Sequence, residues 1–353
     1  MRYNRLGSTG LIVSELCLGA MTFGEGTGWS AAVAGLGQDT TDAMIRQAFD
    51  AGINFIDTAN VYSQGDSERM VGQALKNLGT ERSDVVIATK AMGQMGEGPN
   101  DAGVSRYHLM HQIDASLDRL GLDHVDLYQI HGWDSQTPVD EALRAMDDIV
   151  RSGRARYIGV SNWAAWQIVK ALGISERLGL EKFASLQAYY TIAGRDLERE
   201  IVPMLESEGV GLMVWSPLAG GLLSGKYTRG DGDTSQGEGR RAVFDFPIVD
   251  ADRAWGLIDA LREMAEAKGK TVAQLALAWL LYQPAVSTVI VGAKRPDQLA
   301  DNIGACDVEF TTEEMKQLDK LSRLPREYPG WMLSRQGGYR GEKVSPRRVP
   351  TQG

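Results

Sequence analysis

Four polar side chains that can exchange protons follow short apolar segments of the chain. They are a carboxylate, a phenol, an ammonium and an imidazole: Asp57, Tyr62, Lys90 and His131. A phenol has an ordinary pKa near 10, so it needs assistance to exchange a proton at neutral pH. We expect the Lys90 ammonium to lower the pKa of Tyr62, and Asp57 to keep Lys90 charged and oriented. Neutral His131 could hold a carbonyl oxygen beside Tyr62, so the set is typical of proton donation to a developing alkoxide.

Each of the four residues also has a simpler interpretation. Asp57 could cap a turn or helix, and Tyr62 could be a rim aromatic. Lys90 could be a solvated strand end, and His131 a histidine of the core. Only their joint position at the ends of four predicted elements favours a catalytic site.

Short runs rich in Val and Ile alternate with amphipathic stretches, which is the pattern of parallel βαβ units. The candidate strands cover residues 16–18, 53–57, 85–89, 125–130, 156–160, 185–187, 211–215 and 288–291. The candidate helices cover residues 41–51, 67–78, 105–120, 140–152, 163–172, 197–208, 251–268 and 296–302. No GxGxxG motif follows the first strand, which disfavours a doubly wound nucleotide-binding sheet. The sequence predicts an α/β fold, a (β/α)8 TIM barrel with its active site at the carboxyl ends of the strands.

Further segments are expected as additions to the barrel. An N-terminal β-hairpin is predicted around residues 7–10, and two extra helices at residues 272–282 and 312–321. The Gly-rich stretches 24–39 and 226–250 follow the first and seventh strands, so we expect long loops at the catalytic end.

Residues 323–353 differ in composition from the rest of the chain. Basic side chains stand there among Gly and Pro, namely Arg335, Arg340, Lys343, Arg347 and Arg348. This pattern is more typical of a solvated chain end than of a polyanion site. We therefore assign residues 1–322 to a single barrel domain and residues 323–353 to a C-terminal tail that could cover the active-site mouth.

Composition excludes several classes of function. The net charge of −9 disfavours nucleic acid and anionic membranes as partners, and no apolar run is long enough for a membrane helix. The amino terminus has no signal segment, and two cysteines make a disulfide framework improbable, so we expect a cytoplasmic protein. His108 and His111 are three residues apart without a third ligand, so we expect no metal and place both on the surface.

The order and spacing of the four proton-exchanging residues resemble the catalytic tetrad of the aldo-keto reductase superfamily. Three segments strengthen this resemblance: GINFIDTA at residues 52–59, IGVSN at 158–162 and WSPLAGGLLSGKY at 215–227. Within the superfamily the chain is similar to the bacterial branch that also resembles the potassium-channel beta subunits. The resemblance implies reversible reduction of an aldehyde or ketone to the alcohol by direct hydride transfer, with Tyr62 as general acid.

The same resemblance implies NADP(H) as the preferred cofactor, with NAD(H) as the alternative, extended across the barrel mouth. Ser161, Asn162 and Gln187 match the residues that hydrogen-bond the nicotinamide carboxamide, and Trp215 matches the aromatic on which its ring stacks. Other residues matched to cofactor contacts are Ala20 and Met21, through their backbone, and Asp57. Residues matched to the pyrophosphate are Ser216, Pro217, Leu218 and Gly220. Residues matched to the adenosine phosphate are Gly292, Lys294, Gln298, Asp301 and Asn302. Small residues and a helix start suit phosphate groups.

One departure from the superfamily pattern concerns cofactor preference. Gln298 stands where many members place an arginine against the adenine and 2′-phosphate. Lys294 or Arg295 would meet that phosphate instead, and basic residues of the long loop could add charge: Lys226, Arg240 and Arg241.

A substrate pocket is expected among aromatic residues near the strand ends. Candidates beside Tyr62 and His131 are Trp29, Trp133 and Trp163, and others are Phe23, Phe244, Phe246, Trp331 and Tyr339. Such a lining favours a moderately large apolar carbonyl or a sugar-like ring, although each aromatic could equally be core.

Two other functions compete with the reductase. A channel beta subunit would bind the cofactor as a partner or redox sensor, but those subunits carry a different residue at the position of His131. A barrel aldolase or isomerase would use Lys90 for a Schiff base and Asp57 as its acid-base partner. It would leave the segments at residues 215–227 and 292–302 unexplained.

Overall fold

The structure is a computed structural model that describes residues 1–26, 33–227, 241 and 246–341, without the side chains of residues 251–252 and 338–341. The chain divides into two compact units, Met1–Ser322 and a second that begins at Arg323. None of the described helices is long and apolar enough to cross a membrane.

Ten described strands form a hairpin and a closed barrel. The hairpin strands are β1 (Tyr3–Arg5) and β2 (Ile12–Ser14). The barrel strands are β3 (Leu16–Gly19), β4 (Phe55–Asp57), β5 (Val86–Ala91), β6 (Val125–Ile130), β7 (Ala155–Ser161), β8 (Phe183–Tyr189), β9 (Gly211–Trp215) and β10 (Val286–Val291). These eight strands are parallel and follow chain order, and β10 pairs with β3 to close the barrel. The predicted (β/α)8 TIM barrel with its N-terminal hairpin is confirmed.

The described helices alternate with the barrel strands and then extend beyond them. They are α1 (Gln38–Asp50), α2 (Asp66–Leu78), α3 (Arg106–Leu120), α4 (Val139–Arg151), α5 (Ala165–Leu178), α6 (Leu197–Glu208), α7 (Ala251–Lys268), α8 (Val272–Leu281), α9 (Pro296–Ile303), α10 (Thr312–Ser322) and α11 (Gly330–Gly341). The predicted extra helices correspond to α8 and α10. In contrast, α11 was not predicted, because its Gly-rich sequence has low helix propensity.

The amino end of the barrel is closed by the hairpin. Leu6 and Val13 of the hairpin region are fully buried against an interior core that includes Phe55, Leu127 and Met213. The hairpin turn approaches the start of β9 so closely that a Cβ added at Gly7 would lie 2.6 Å from a backbone oxygen. Because the hairpin occupies the amino end, we expect a site at the carboxyl ends of the strands.

Candidate active site

The four proton-exchanging side chains lie at the carboxyl ends of three neighbouring strands. Asp57 is the last residue of β4, Lys90 lies near the end of β5, and His131 directly follows β6. Tyr62 begins the 3-10 turn between β4 and α2, and its ring meets the His131 ring edge to face with centroids 5.8 Å apart. The barrel thus brings together residues that are separated by up to 74 positions (131 − 57) in the sequence.

Lys90 is fully buried and uses all three of its hydrogen-bond donors. Its Nζ donates to Asp57 Oδ2 at 2.6 Å and to the Thr58 carbonyl oxygen at 2.8 Å. The third bond goes to the Tyr62 hydroxyl oxygen at 3.3 Å. A lysine with these contacts is fixed in position and charged, rather than solvated at a strand end.

The second carboxylate oxygen of Asp57 binds two amides that sequence reasoning did not connect to it. Gln187 Nε2 donates to Asp57 Oδ1 at 2.9 Å, and Gln129 Nε2 donates to the same atom at 3.1 Å. Gln129 is fully buried and had been assigned only to a strand. Its polar side chain within an apolar run is the signal that could have identified it.

Burial and charge act in opposite directions on the titration of the site. Burial raises the pKa of Tyr62 above its ordinary value, and the Lys90 ammonium lowers it by a smaller amount. The lowering that we expected from Lys90 is present but outweighed. Burial lowers the pKa of Lys90, but Asp57 and Tyr62 outweigh it, so this pKa is raised. At neutral pH the phenol is therefore protonated and the ammonium is charged.

His131 is neutral at physiological pH. Burial, followed by the Lys90 charge, lowers the pKa of the His131 imidazole to about 3. A neutral imidazole has one N–H donor and one acceptor nitrogen, so it can donate a hydrogen bond to a substrate oxygen without competing as an acid.

The backbone after Tyr62 adopts an unusual conformation. Ser63 and Gln64 both have positive φ angles, 48° and 54°, which are uncommon for residues other than glycine. Ser63 Oγ donates to the Phe23 carbonyl oxygen at 3.0 Å and so holds this turn against the loop that follows β3. Phe23 itself is fully buried, so it belongs to the core rather than to a pocket lining.

Residues expected to hold the nicotinamide carboxamide lie at the ends of β7, β8 and β9. Ser161 is 1% exposed, and its Oγ has no hydrogen-bond partner among the described residues. Asn162 has a φ of 60° and accepts a hydrogen bond from Trp215 Nε1 at 2.9 Å. Ala20, next to Met21, donates its backbone N–H to the Asp57 carbonyl oxygen at 2.9 Å. These residues lie at the same end of the barrel as the four proton-exchanging side chains.

The indole of Trp215 already has aromatic neighbours. Phe246 stacks on it with an interplanar angle of 10° and centroids 5.6 Å apart, and Tyr189 lies tilted at 5.2 Å. A nicotinamide ring can stack on Trp215 only by using the face that Phe246 leaves or by displacing Phe246.

The turn after β9 has the features expected of a phosphate-binding segment. It contains Ser216, Pro217, Leu218 and Gly220, and Ser216 Oγ accepts from the Gly220 backbone N–H at 3.1 Å. Gly220 has a φ of 67°, and a Cβ at this position would lie 2.4 Å from the Phe246 carbonyl oxygen. Only glycine therefore fits at this point of the turn.

The segment expected at the adenosine end surrounds the start of α9. Gln298 Oε1 accepts from the Lys294 backbone N–H at 2.9 Å, and Asn302 Nδ2 donates to the Gly292 carbonyl oxygen at 3.5 Å. Asp301 accepts hydrogen bonds from Thr271 and Gln274, so its carboxylate serves the packing of α9 against α8.

The other basic candidates have separate places. Arg295 pairs with Asp297 on the surface at 2.9 Å. Arg241 is 4% exposed and donates to the carbonyl oxygens of Ala219 and Pro247 instead of standing at a rim. Lys226 lies over the Tyr227 ring at 4.9 Å, and Arg240 is outside the described residues.

The candidate substrate aromatics lie in different parts of the structure. Trp133 is half-buried and packs edge to face between Trp163, at 4.8 Å, and Trp166, at 5.8 Å. Trp163 is only 3% exposed and packs on Phe183, so it supports Trp133 from the core. It precedes α5 rather than beginning it, because Gln167 Oε1 accepts from the Ala164 backbone N–H. Trp29, Phe244 and the side chain of Tyr339 are outside the described residues, and Trp331 lies on α11 of the second unit.

Of the two histidines on α3, His111 is exposed as expected, whereas His108 is not. His108 is 1% exposed, and its Nδ1 lies 3.0 Å from the Asn100 carbonyl oxygen, so it is not a surface residue. Burial lowers the pKa of His108. Across the described ranges, no three His, Cys, Asp or Glu side chains are placed to hold a metal ion.

Known proteins resemble this chain over most of its length. The family model described as "Aldo/keto reductase family" matches residues 15–323. The chain is 38% identical over 336 residues to "Probable voltage-gated potassium channel subunit beta" of Oryza sativa subsp. japonica, with 93% of this chain and 98% of that protein covered. It is 37% identical over 340 residues to versiconal hemiacetal acetate reductase of Aspergillus parasiticus, with 91% and 96% covered. It is 35% identical over 329 residues to the uncharacterized oxidoreductase YrpG of Bacillus subtilis (strain 168), with 91% and 96% covered.

Proposed function

The chain belongs to the aldo/keto reductase family, and we propose that it reduces an aldehyde or ketone to the alcohol with NADP(H), using Tyr62 as the general acid. The observation that carries this proposal is the hydrogen bond from Lys90 Nζ to the Tyr62 hydroxyl oxygen. Because that oxygen accepts from Lys90, the phenolic proton is directed elsewhere and can be donated to a substrate. The match to a protein named as a reductase supports carbonyl chemistry.

Proton transfer in this proposal depends on three side chains. Tyr62 donates its proton to the carbonyl oxygen as negative charge develops there. Lys90 then stabilises the phenolate through the bond that it already makes, and Asp57 holds Lys90 in place. A bound nicotinamide cofactor supplies the hydride to the carbonyl carbon. In alcohol oxidation the same phenolate accepts the proton, so the reaction is reversible.

His131 has the separate task of orienting the carbonyl. Its low pKa keeps the imidazole neutral, so it donates a hydrogen bond to the carbonyl oxygen and polarises the carbon. Its ring lies against the ring of Tyr62, so the imidazole and the phenol can both donate hydrogen bonds to one carbonyl oxygen.

The residues at the mouth fit a nicotinamide cofactor. The buried hydroxyl of Ser161, which has no hydrogen-bond partner in the part of the chain that the structure describes, is a group of the kind that a carboxamide can satisfy. Asn162 and Gln187 would hold the same carboxamide, and the turn at Ser216 to Gly220 would hold the pyrophosphate. Residues 292–302 would hold the adenosine phosphate, with Asn302 at its adenine side.

Preference for NADP(H) over NAD(H) rests on Lys294. Lys294 precedes the start of α9, where the helix dipole also favours an anion. Gln298, in place of a second cation, makes this preference weaker than a two-cation site would.

The substrate proposed is a moderately large, apolar carbonyl compound. Trp133 lies two residues after His131 and is held by the rings on either side of it. A fixed indole beside the carbonyl site favours flat apolar or ring-shaped molecules. Trp163 is buried, so it packs against Trp133 and does not contact the substrate itself.

The channel-partner role is the second candidate, since a relative of that name covers 93% of this chain. It requires cofactor binding without turnover, whereas the donor His131 serves only catalysis. A Schiff-base enzyme needs a neutral amine, but the Asp57 contact keeps Lys90 charged, which disfavours that alternative.

Steady-state oxidation of NADPH by the purified protein tests the proposal. The panel contains aromatic, aliphatic and sugar-derived carbonyls, and NADH is run in parallel. Turnover with any carbonyl supports the reductase. Cofactor binding without any turnover supports the channel-partner role, and absence of binding contradicts both.

A further inference from the structure

Three buried polar side chains form one inward layer of the barrel. Asp57, Gln129 and Gln187 come from β4, β6 and β8, which are alternate strands, and none is more than 3% exposed. Layers built from alternate strands fill the interior of such barrels, and they are usually apolar. This layer instead connects the proton-exchanging group to the expected nicotinamide site.

The hydrogen bonds of Gln129 run in both directions within this layer. Its Nε2 donates to Asp57 Oδ1 at 3.1 Å, and its Oε1 accepts from Gln187 Nε2 at 3.4 Å. Gln187 Nε2 also donates to Asp57 Oδ1. The side-chain NH2 group of Gln187 is therefore turned toward Asp57 and Gln129. The side-chain oxygen of Gln187, Oε1, is thus directed away from them and can accept from another donor.

The barrel wall is shaped to admit the Gln129 side chain. Gly159 pairs with Gln129 across β6 and β7, and a Cβ added at Gly159 would lie 3.2 Å from Gln129 Cγ and 2.6 Å from Ser185 Oγ. Any larger residue at position 159 would press on Gln129. The glycine thus allows the amide to reach Asp57.

We propose that Gln129 is a positioning residue that fixes both the Asp57 carboxylate and the amide orientation of Gln187. By holding Asp57 Oδ1, Gln129 keeps Oδ2 directed at Lys90. By accepting from Gln187, it presents the Gln187 carbonyl oxygen to the NH2 group of a nicotinamide carboxamide. This inference rests on the proposed reductase function.

Replacement of Gln129 tests the inference. Gln129→Leu removes both bonds, and we expect kcat to fall about 10- to 100-fold and NADPH to bind more weakly, as for loss of a hydrogen bond to a charged group. The matched control is Ser185→Ala, another buried polar side chain of the barrel, whose Oγ has no partner in the described part of the chain. We expect Ser185→Ala to retain the kcat and NADPH affinity of the wild type.

A pH profile separates positioning from general damage to the fold. Lys90, Tyr62 and Cys17 are the titratable groups that respond to the Asp57 charge, and His131 responds to Lys90. Loss of the Gln129 donor leaves more of the Asp57 charge to act on Tyr62, which raises the pKa of the phenol. The alkaline limb of the kcat profile should therefore move to higher pH in Gln129→Leu but not in Ser185→Ala.

A second variant addresses the case in which Gln129→Leu does not fold. Gly159→Ala combined with Ser185→Ala removes the clash with Ser185 Oγ and leaves the added Cβ 3.2 Å from Gln129 Cγ and 3.2 Å from the Ser185 carbonyl oxygen, so the side chain that must give way is that of Gln129. It should weaken turnover and shift the same alkaline limb, with less effect than Gln129→Leu. If the wild type is active and the folded variants keep its kcat and pH profile, the proposed role of Gln129 is overturned but the reductase function is not. An inactive wild type would overturn the reductase proposal instead.

Discussion

Lys90 Nζ lies 3.3 Å from the hydroxyl oxygen of Tyr62 and donates a hydrogen bond to it. The other two donors of Lys90 are taken by Asp57 and the Thr58 carbonyl. The phenol is therefore an acceptor toward the protein interior and a donor toward the mouth. This directionality supports our proposal that Tyr62, rather than Lys90, is the proton donor of the site.

Replacing Lys90 should separate stability from catalysis. Lys90→Met leaves the Asp57 carboxylate buried without its cation, which should cost about 3–5 kcal/mol of unfolding free energy. We expect kcat to fall roughly 100- to 10,000-fold, since the phenolate loses its stabilising charge. Urea unfolding and steady-state kinetics measure the two effects.

The double variant Asp57→Asn/Lys90→Met is the matched control for this prediction. It removes both charges, so it should recover much of the lost stability and none of the activity. A single Lys90→Met variant with kcat near that of the wild type would contradict the role of the ammonium.

The histidine of the site predicts a particular pH dependence of stability. The pKa of His131 is lowered to about 3, whereas an unfolded histidine titrates near 6.5. Below pH 6.5 the unfolded state binds a proton that the folded state does not, so stability falls as the pH decreases toward 3, by at most about 1.4 kcal/mol per unit. His131→Gln should remove this contribution in urea titrations at pH 7 and 5.

His111→Gln supplies the control, since His111 is an exposed histidine on α3. His108, whose pKa is also lowered by burial, is retained in both variants. If His131→Gln and the wild type lose stability equally between pH 7 and 5, the imidazole of His131 is not buried in its neutral form.

The unused hydroxyl of Ser161 gives a prediction for cofactor binding. Ser161→Ala removes a hydroxyl that has no partner among the described residues and that we propose binds the carboxamide, so NADPH affinity should fall roughly 2- to 10-fold without loss of thermal stability. Fluorescence titration and melting curves measure the two quantities. Ser185→Ala removes another buried hydroxyl for which the described ranges offer no partner, and this variant should bind NADPH as the wild type does. Equal weakening in both variants would place the carboxamide elsewhere.

Cofactor preference should respond to Lys294. Lys294→Met keeps the length of the side chain but removes its charge, so we expect KM for NADPH to rise about 10-fold while KM for NADH is unchanged. Arg295→Met is the comparison, because Arg295 is the neighbouring cation at the start of α9. Steady-state kinetics with both cofactors measure these KM values. A larger rise of KM for NADPH in Arg295→Met than in Lys294→Met would contradict the assignment of Lys294 as the phosphate contact.

The barrel and the place of the four proton-exchanging residues could be predicted because both depend on strand ends, which periodic Val and Ile runs mark well. Gln129 could not be assigned a role, since a strand pattern does not show which buried polar groups meet across the interior. The burial of Lys90 and His108 escaped prediction for the same reason. Sequence spacing shows which residues are close along the chain. The desolvation of a side chain depends on which residues of other helices and strands pack against it.

The pKa of Tyr62 illustrates this difference. The charge of Lys90 was expected to decide its direction, and that charge does lower the pKa. Desolvation by the surrounding core raises the pKa of Tyr62 by more than Lys90 lowers it. The extent of this desolvation cannot be deduced from residue types. Helix α11 similarly forms in a Gly-rich segment where local propensity favours no helix.

Tyr62→Phe tests the central claim most directly. The substitution keeps the ring and removes only the hydroxyl, so NADPH should still bind, as followed by fluorescence titration. Carbonyl-dependent NADPH oxidation should fall at least about 100-fold relative to the wild type, since the proton donor is lost. Turnover by Tyr62→Phe at the wild-type rate, with the same carbonyl and cofactor, would contradict the assignment of Tyr62 as the general acid.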